Sequence, residues 1–90
     1  MRTIYKYPIP PLGAPGFFEV MLRKGATVLD VGIQTDNEEV VLWAEVDTER
    51  SHEARRFYAG WTGHELPPGL AYFKTLQIAG LVWHFYSVLE

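Results

Sequence analysis

Apolar and polar residues alternate with a period of two along most of the chain. Runs of this kind, bounded by turn-forming residues, are typical of strands. No helix is predicted, because glycine or proline interrupts every stretch of helical spacing of about a dozen residues. Strict alternation places Leu29, Val31 and Ile33 on one face of their strand. The pattern predicts seven strands, at residues 2–7, 17–22, 27–34, 39–46, 53–61, 72–78 and 81–89.

Turn-forming residues separate these strands. The segments "RKGA" (23–26), "TDNE" (35–38) and "AG" (79–80) are predicted tight turns. Residues 8–16 hold several prolines and are expected to form a stiff connection, since proline has no N–H for a ladder. Turns at roughly eight- to twelve-residue spacing indicate a single all-β domain over residues 1–90. We expect a small sandwich or partly open barrel of mainly antiparallel strands, with at most one helical turn.

Two predicted strands, 39–46 and 81–89, are apolar on both faces. In a chain of 90 residues, such strands are either covered on both sides or available to another protein. Strands 2–7 and 81–89 are also candidate sheet edges that could pair with a partner segment. The pattern therefore predicts a homo-oligomer and a protein partner.

Composition narrows the class of protein. Eight basic residues against eleven acidic ones give a net charge of −3, which does not favour binding to nucleic acid. The chain has no cysteine, so no disulfide or thiolate metal site is expected. No apolar run approaches the length of a membrane span, and the first residues lack signal-peptide features. We expect a cytoplasmic protein without a cofactor and without a membrane or nucleic-acid partner.

The loop "GWTGHELPPGL" (60–70) holds the most conspicuous polar pair, His64 and Glu65. A carboxylate can orient an imidazole, but catalysis would also need a nucleophile such as Ser87 or Thr62. No wider motif surrounds the pair, so a turn is the favoured interpretation and no catalytic residue is assigned. The protein is predicted not to be an enzyme.

Three histidines could be considered as metal ligands. The spacing of His52, His64 and His84 matches no compact metal motif, so no metal site is predicted. His84 lies in an aromatic strand, where a lone histidine is expected to be a core or interface residue with one hydrogen bond.

A small anionic ligand is a second possibility. Backbone N–H groups around the loop glycines could hold an anion, arginines could bind a phosphate, and aromatic rings could stack a base. The candidate ligand-binding residues are Arg55, Arg56, Tyr58, Trp61, Thr62, Gly63, His64, Glu65 and Tyr72.

Four motifs resemble a family of small uncharacterised proteins of phages, prophages and bacteria. They lie at Thr3–Tyr7, Leu42–Asp47, Gly60–Pro67 and Gly80–His84. The chain departs from the family pattern by Trp61 within the loop motif and by the proline-rich connection. The resemblance implies a phage-type setting but supplies no functional residues.

These observations favour a small binding protein over an enzyme. The expected function is inhibition of a host protein, for example a defence protein, through an aromatic-rich surface in the host cytoplasm. One alternative is an oligomeric sponge that sequesters a nucleotide or another small anionic signal. Another is an accessory protein of the virion or of its assembly.

Overall fold

The computed structural model describes residues 1–35 and 38–89, and this part of the chain contains seven strands and no helix. The strand ends agree with the predicted ones to within two residues. Residues 36 and 37 of the predicted "TDNE" turn lie outside the described residues. The strands are β1 (Arg2–Pro8), β2 (Gly16–Arg23), β3 (Thr27–Gln34), β4 (Glu39–Asp47), β5 (His52–Trp61), β6 (Leu70–Ile78) and β7 (Leu81–Val88).

The strands form two sheets, of order β1-β4-β3 and β2-β5-β7-β6. The all-β fold class with antiparallel strands is therefore confirmed, and the division into two sheets excludes a single closed barrel. By its contacts the chain divides into two compact units. The first unit comprises Met1–Pro10 and Val20–Arg55, and the second comprises Pro11–Glu19 and the chain from Arg56 onward.

In the first unit, β4 is the central strand and pairs with both β1 and β3. On one face Leu42, Ala44 and Val46 are almost completely shielded from solvent, and on the other face Val41 is shielded and Trp43 is half-buried. Burial on both faces explains why this strand reads as continuously apolar. The shielded residues of β4 are Val41, Leu42, Ala44 and Val46.

A β-bulge in β3 changes which of its residues share a face. Val28 pairs with Ala44 and Val31 with Leu42, while the register shifts between Val28 and Asp30. Val28, rather than Leu29, therefore shares a face with Val31. The prediction that Leu29 lies on that face was wrong, because strict alternation does not hold across a bulge.

In the second unit, four phenylalanines form a cluster. Phe18 stacks on Phe57 with ring centroids 5.5 Å apart, and Phe73 contacts Phe57 and Phe85 edge-on or tilted. Phe57 and Phe85 are fully buried. Such aromatic pairs add about 0.5–1.5 kcal/mol each beyond the area that they bury.

The last strand does not lie at a sheet edge. β7 pairs with β5 on one side and with β6 on the other, so both of its backbone edges are used. The expectation that residues 81–89 could receive a partner strand was therefore wrong. The other candidate, β1, is an edge strand as expected. None of the described residues forms a helix that is long and apolar enough to cross a membrane.

Candidate functional site

One face of the four-stranded sheet carries several of the polar and aromatic groups that sequence analysis selected. In the ladder between β5 and β7, Tyr58 pairs with Tyr86 and Gly60 pairs with His84. Because side chains alternate along a strand, these residues share one face. We call this surface the His84 face.

A β-bulge in β6 adds two further groups to the His84 face. Tyr72 pairs with Tyr86 and Thr75 pairs with His84, with a register shift between Tyr72 and Lys74. Without the bulge, Tyr72 and Thr75 would point to opposite sides of the sheet, since they are an odd number of residues apart. With it, their hydroxyl oxygens lie 2.7 Å apart.

Four side chains on this face form a continuous hydrogen-bonded row. Tyr72 contacts Thr75, the Thr75 hydroxyl lies 3.0 Å from His84 Nδ1, and His84 Nε2 lies 2.7 Å from the Thr62 hydroxyl. We call these residues the polar row. His84 thus has a hydroxyl partner on each ring nitrogen, rather than the single hydrogen bond that was expected.

Beside the polar row, an aromatic row crosses all four strands. Its ring centroids are 5.0 Å apart for Phe17 and Tyr58, 6.5 Å for Tyr58 and Tyr86, and 5.7 Å for Tyr86 and Tyr72. The guanidinium of Arg56 lies 4.7 Å above the ring of Phe17, in cation–π geometry. The residues at the two ends of the row are exposed to solvent: Phe17 is 49% exposed and Tyr72 is 58% exposed.

The loop after β5 begins with a tight turn. The His64 N–H donates to the Trp61 carbonyl over 3.3 Å, and Gly63 has a φ of +87°. A positive φ at the third turn residue alone is characteristic of a type II turn, which favours glycine there. This geometry agrees with the turn interpretation of Gly63.

Leu66 holds the loop against the sheet. A Cβ built on Gly60 would lie 3.2 Å from Leu66 Cδ2 and 3.2 Å from Tyr58 Cε1. Glycine at position 60 therefore leaves the space that the Leu66 side chain uses.

Two clefts adjoin at this end of the sheet. One, of about 240 Å³, is lined on the His84 face by Thr62, His64, Leu66, His84 and Tyr86, together with Gly60, Trp61 and Gly63. The other, of about 250 Å³, is lined by Trp61, Thr62, His64, Gly80, Leu81 and Val82. The residues that we call the loop patch line these clefts: Trp61, Thr62, His64, Leu66, Leu81 and Val82.

The structure separates the predicted ligand residues into groups. Arg55 belongs to the first unit and donates from Nη2 to the Ala26 carbonyl. Arg56 covers Phe17, and Tyr58 is buried between Phe17 and Tyr86. Tyr58 therefore supports the aromatic row rather than offering a free face to a base.

His64 and Glu65 are both exposed in the loop. The His64 ring contacts Trp61 edge-on at 5.4 Å between centroids, and Trp61 in turn contacts Trp83. The Thr62 hydroxyl bonds to His84, not to His64. Within residues 1–35 and 38–89, no group of three or more His, Cys, Asp or Glu side chains is placed to hold a metal ion.

Sequence analysis missed Thr75, Leu66 and Leu81 and did not count His84 among the ligand residues. Thr75 depends on the bulge in β6, which no sequence pattern marks. Leu81 directly follows the Ala79-Gly80 turn, and residues next to a tight turn are commonly exposed. Its exposure could therefore have been predicted from the sequence.

No curated protein and no solved structure is similar enough to the chain to count as a match. A family profile does match, and it covers the whole sequence, residues 1–90. The expected membership in an uncharacterised family is thereby confirmed. The chain belongs to the family described as "Domain of unknown function (DUF7352)".

Proposed function

We propose that this chain is a small, non-enzymatic binding protein that docks on a host protein through the loop patch and inhibits it. Its setting is that of a phage protein acting in the host cytoplasm, and a defence protein is the most concrete target. The phage setting comes from the resemblance of its four motifs to phage and prophage proteins.

The observation that carries this proposal is the pair of adjoining clefts rimmed by exposed apolar side chains. Leu66, Leu81 and Val82 are 43%, 46% and 38% exposed, and they surround Trp61 and His64. Shallow pockets lined by aromatic and aliphatic groups are where a few partner side chains supply most of the binding energy.

The rigidity of the surface supports the same proposal. The aromatic row and the polar row fix the side chains beneath and beside the loop patch, so little side-chain entropy is lost on docking. The type II turn and the close approach of Leu66 to Gly60 likewise restrict the conformations of the loop.

The test uses bacteria that carry individual phage-defence systems. The chain is expressed in each strain, and plaque formation by a phage that the system blocks is measured. We expect the wild-type chain to restore plaque formation at least about tenfold against one system. The Leu66→Ser/Leu81→Ser double variant is expected to lose that effect, because a hot-spot residue contributes about 2 kcal/mol or more.

The matched control is Ile4→Ser/Leu29→Ser, which removes two apolar residues of at least the same exposure from the first unit (56% and 48% exposed). It should act like the wild type. The proposal fails if no defence system is relieved, or if the loop-patch variant is as active as the control while both are folded by circular dichroism.

A further inference from the structure

The cleft beside His84 is rich in hydrogen-bond donors and has no acid in its lining. It holds the imidazoles of His64 and His84 and the hydroxyl of Thr62, and none of its lining residues is Asp or Glu. Such a lining is matched by a group that only accepts hydrogen bonds.

The polar row decides which hydrogens reach the cleft. When His84 is neutral, one ring nitrogen donates and the other accepts, so the hydroxyls align in a single direction. The Thr62 end and the Tyr72 end of the row then have opposite character, one offering a hydrogen outward and the other only lone pairs.

Protonation of His84 removes this asymmetry without moving any heavy atom. Both ring nitrogens then donate, Thr62 and Thr75 accept, and each hydroxyl passes its own hydrogen onward. Thr62 consequently presents a hydrogen to the cleft. The positive charge has no carboxylate in the cleft lining to neutralise it.

We propose that this cleft binds an oxyanion, a carboxylate or phosphate group of the bound molecule, and that His84 takes up a proton when the anion binds. The proposal rests on the proposed function in that it names the chemistry recognised within the loop patch. It places the anion on Thr62 and His64, with His84 acting through the Thr62 hydroxyl, rather than on Arg55 and Arg56.

The neighbouring ionisable groups are consistent with this assignment. Tyr72 and Tyr86 share the His84 face, and Lys74 and Arg56 are the basic residues of β6 and of the second-unit part of β5. Glu65, the nearest acid along the loop, is exposed and does not line the cleft. Because the anion binds together with a proton on His84, anion affinity should fall as the pH rises.

The experiment follows the imidazole NMR resonances of the isotopically labelled wild-type chain during titration with inorganic phosphate and, separately, acetate. At about pH 6 we expect saturable shifts of His84 and His64, with affinity weakening by up to about tenfold per pH unit toward pH 8. His52 lines neither cleft and serves as the internal control. Equal movement of all three histidines, or no saturable shift, would overturn the proposal.

Two single substitutions test whether the anion binds in this cleft. Thr62→Val keeps the side-chain shape and should weaken phosphate binding about fivefold, the effect of one hydrogen bond, whereas His52→Gln should leave it unchanged. If Thr62→Val is destabilised, the wild-type titration still decides the proposal. Unchanged anion affinity in a folded Thr62→Val protein would contradict the assignment to this cleft.

Two further arms distinguish the source of the oxyanion. A nucleoside monophosphate that binds more tightly than phosphate supports a small phosphate ligand, and an acidic peptide that binds more tightly than acetate supports a partner carboxylate. If no anion binds but the loop-patch variant still loses its effect on plaque formation, the oxyanion inference falls while the docking proposal stands. If anions bind but the loop-patch variant stays fully active, the docking proposal falls while the oxyanion site stands.

Discussion

Gly32, in the middle of β3, makes room for an aromatic side chain of β4. A Cβ at this position would lie 3.0 Å from Trp43 Cζ3, closer than packed carbon atoms normally approach. We expect Gly32→Ala to lower the free energy of unfolding by about 1–3 kcal/mol, measured by urea unfolding. Gly13→Ala, with nothing within 4 Å of its Cβ, is the control and should change it by at most about 0.5 kcal/mol. Equal effects at the two positions would rule out the contact with Trp43 as the cause.

Tyr7 carries a buried hydroxyl with no hydrogen-bond partner among the described residues. Burial raises the pKa of Tyr7 above its usual value of 10.0, although the nearby charge of Arg23 acts in the opposite direction. The folded protein therefore holds this proton more tightly than the unfolded chain. Stability is fully present below the usual tyrosine pKa and is lost as the pH rises from there through the raised value.

Tyr7→Phe should therefore be tolerated. We expect its free energy of unfolding at neutral pH to be unchanged or higher by up to about 1 kcal/mol, since an unpaired buried hydroxyl is removed. Its stability should also fall less steeply in alkaline solution. Tyr5→Phe, at an exposed position of the same strand, is the control. A loss above about 1 kcal/mol at neutral pH would mean that the hydroxyl is bonded in the folded protein.

The polar row shows why single residues of the site were hard to predict. The loop and its turn followed from Gly63 and the neighbouring residues. The partners of His84 did not, because Thr62 and Thr75 reach it from two other parts of the sheet. Such contacts depend on strand order and on a bulge, neither of which leaves a local pattern.

At the level of elements, the hairpin of β6 and β7 closes with a two-residue turn. Ile78 pairs with Leu81, and the two turn residues both have positive φ, 51° for Ala79 and 84° for Gly80. This is the pattern of a type I′ turn, in which asparagine and glycine are favoured and alanine is strained.

Ala79→Asn should therefore stabilise the fold. We expect a gain of about 0.5–1 kcal/mol in the free energy of unfolding, because asparagine adopts the left-handed conformation more readily than alanine. Gly80→Ala is the opposite change and should lower it by about 1 kcal/mol or more. Thermal unfolding of both variants measures the difference, and a destabilised Ala79→Asn protein would contradict the turn assignment.

The strands themselves were predictable because period-two alternation and turn residues are local signals. The tight turn predicted from the dipeptide Ala79-Gly80 lies where it was expected. The order of strands was not predictable, because β1 pairs with β4 across more than thirty residues of chain, as Arg2 with Asp47. For the same reason β7 was expected at an edge and lies instead between β5 and β6.

At the level of the whole molecule, the expectation of an oligomer rested on two strands, and the first of them, β4, has most of its apolar residues buried. The second strand that reads as apolar on both faces, β7, is buried at Trp83 and Phe85 but exposed at Leu81 and Val82. The uncovered apolar surface of this strand therefore lies in the loop patch, where the proposal places the partner.

Homo-oligomerisation stays a prediction. Exposed Tyr5, Met21 and Ile33 give the first unit apolar surface that a second copy could cover. Light scattering after size exclusion should give a mass above the 10.3 kDa of one chain. A mass of one chain at every concentration tested would exclude this prediction without touching the loop patch.

The central claim is that the loop patch contacts a host protein, and site-specific photo-crosslinking in infected cells tests it most directly. A photoreactive amino acid is placed at Leu81 in one variant and at Leu29 in the other, two apolar positions of similar exposure. The account predicts one crosslinked host protein from position 81 and none from position 29. Crosslinking of the same protein from both positions, or from position 29 alone, would contradict it.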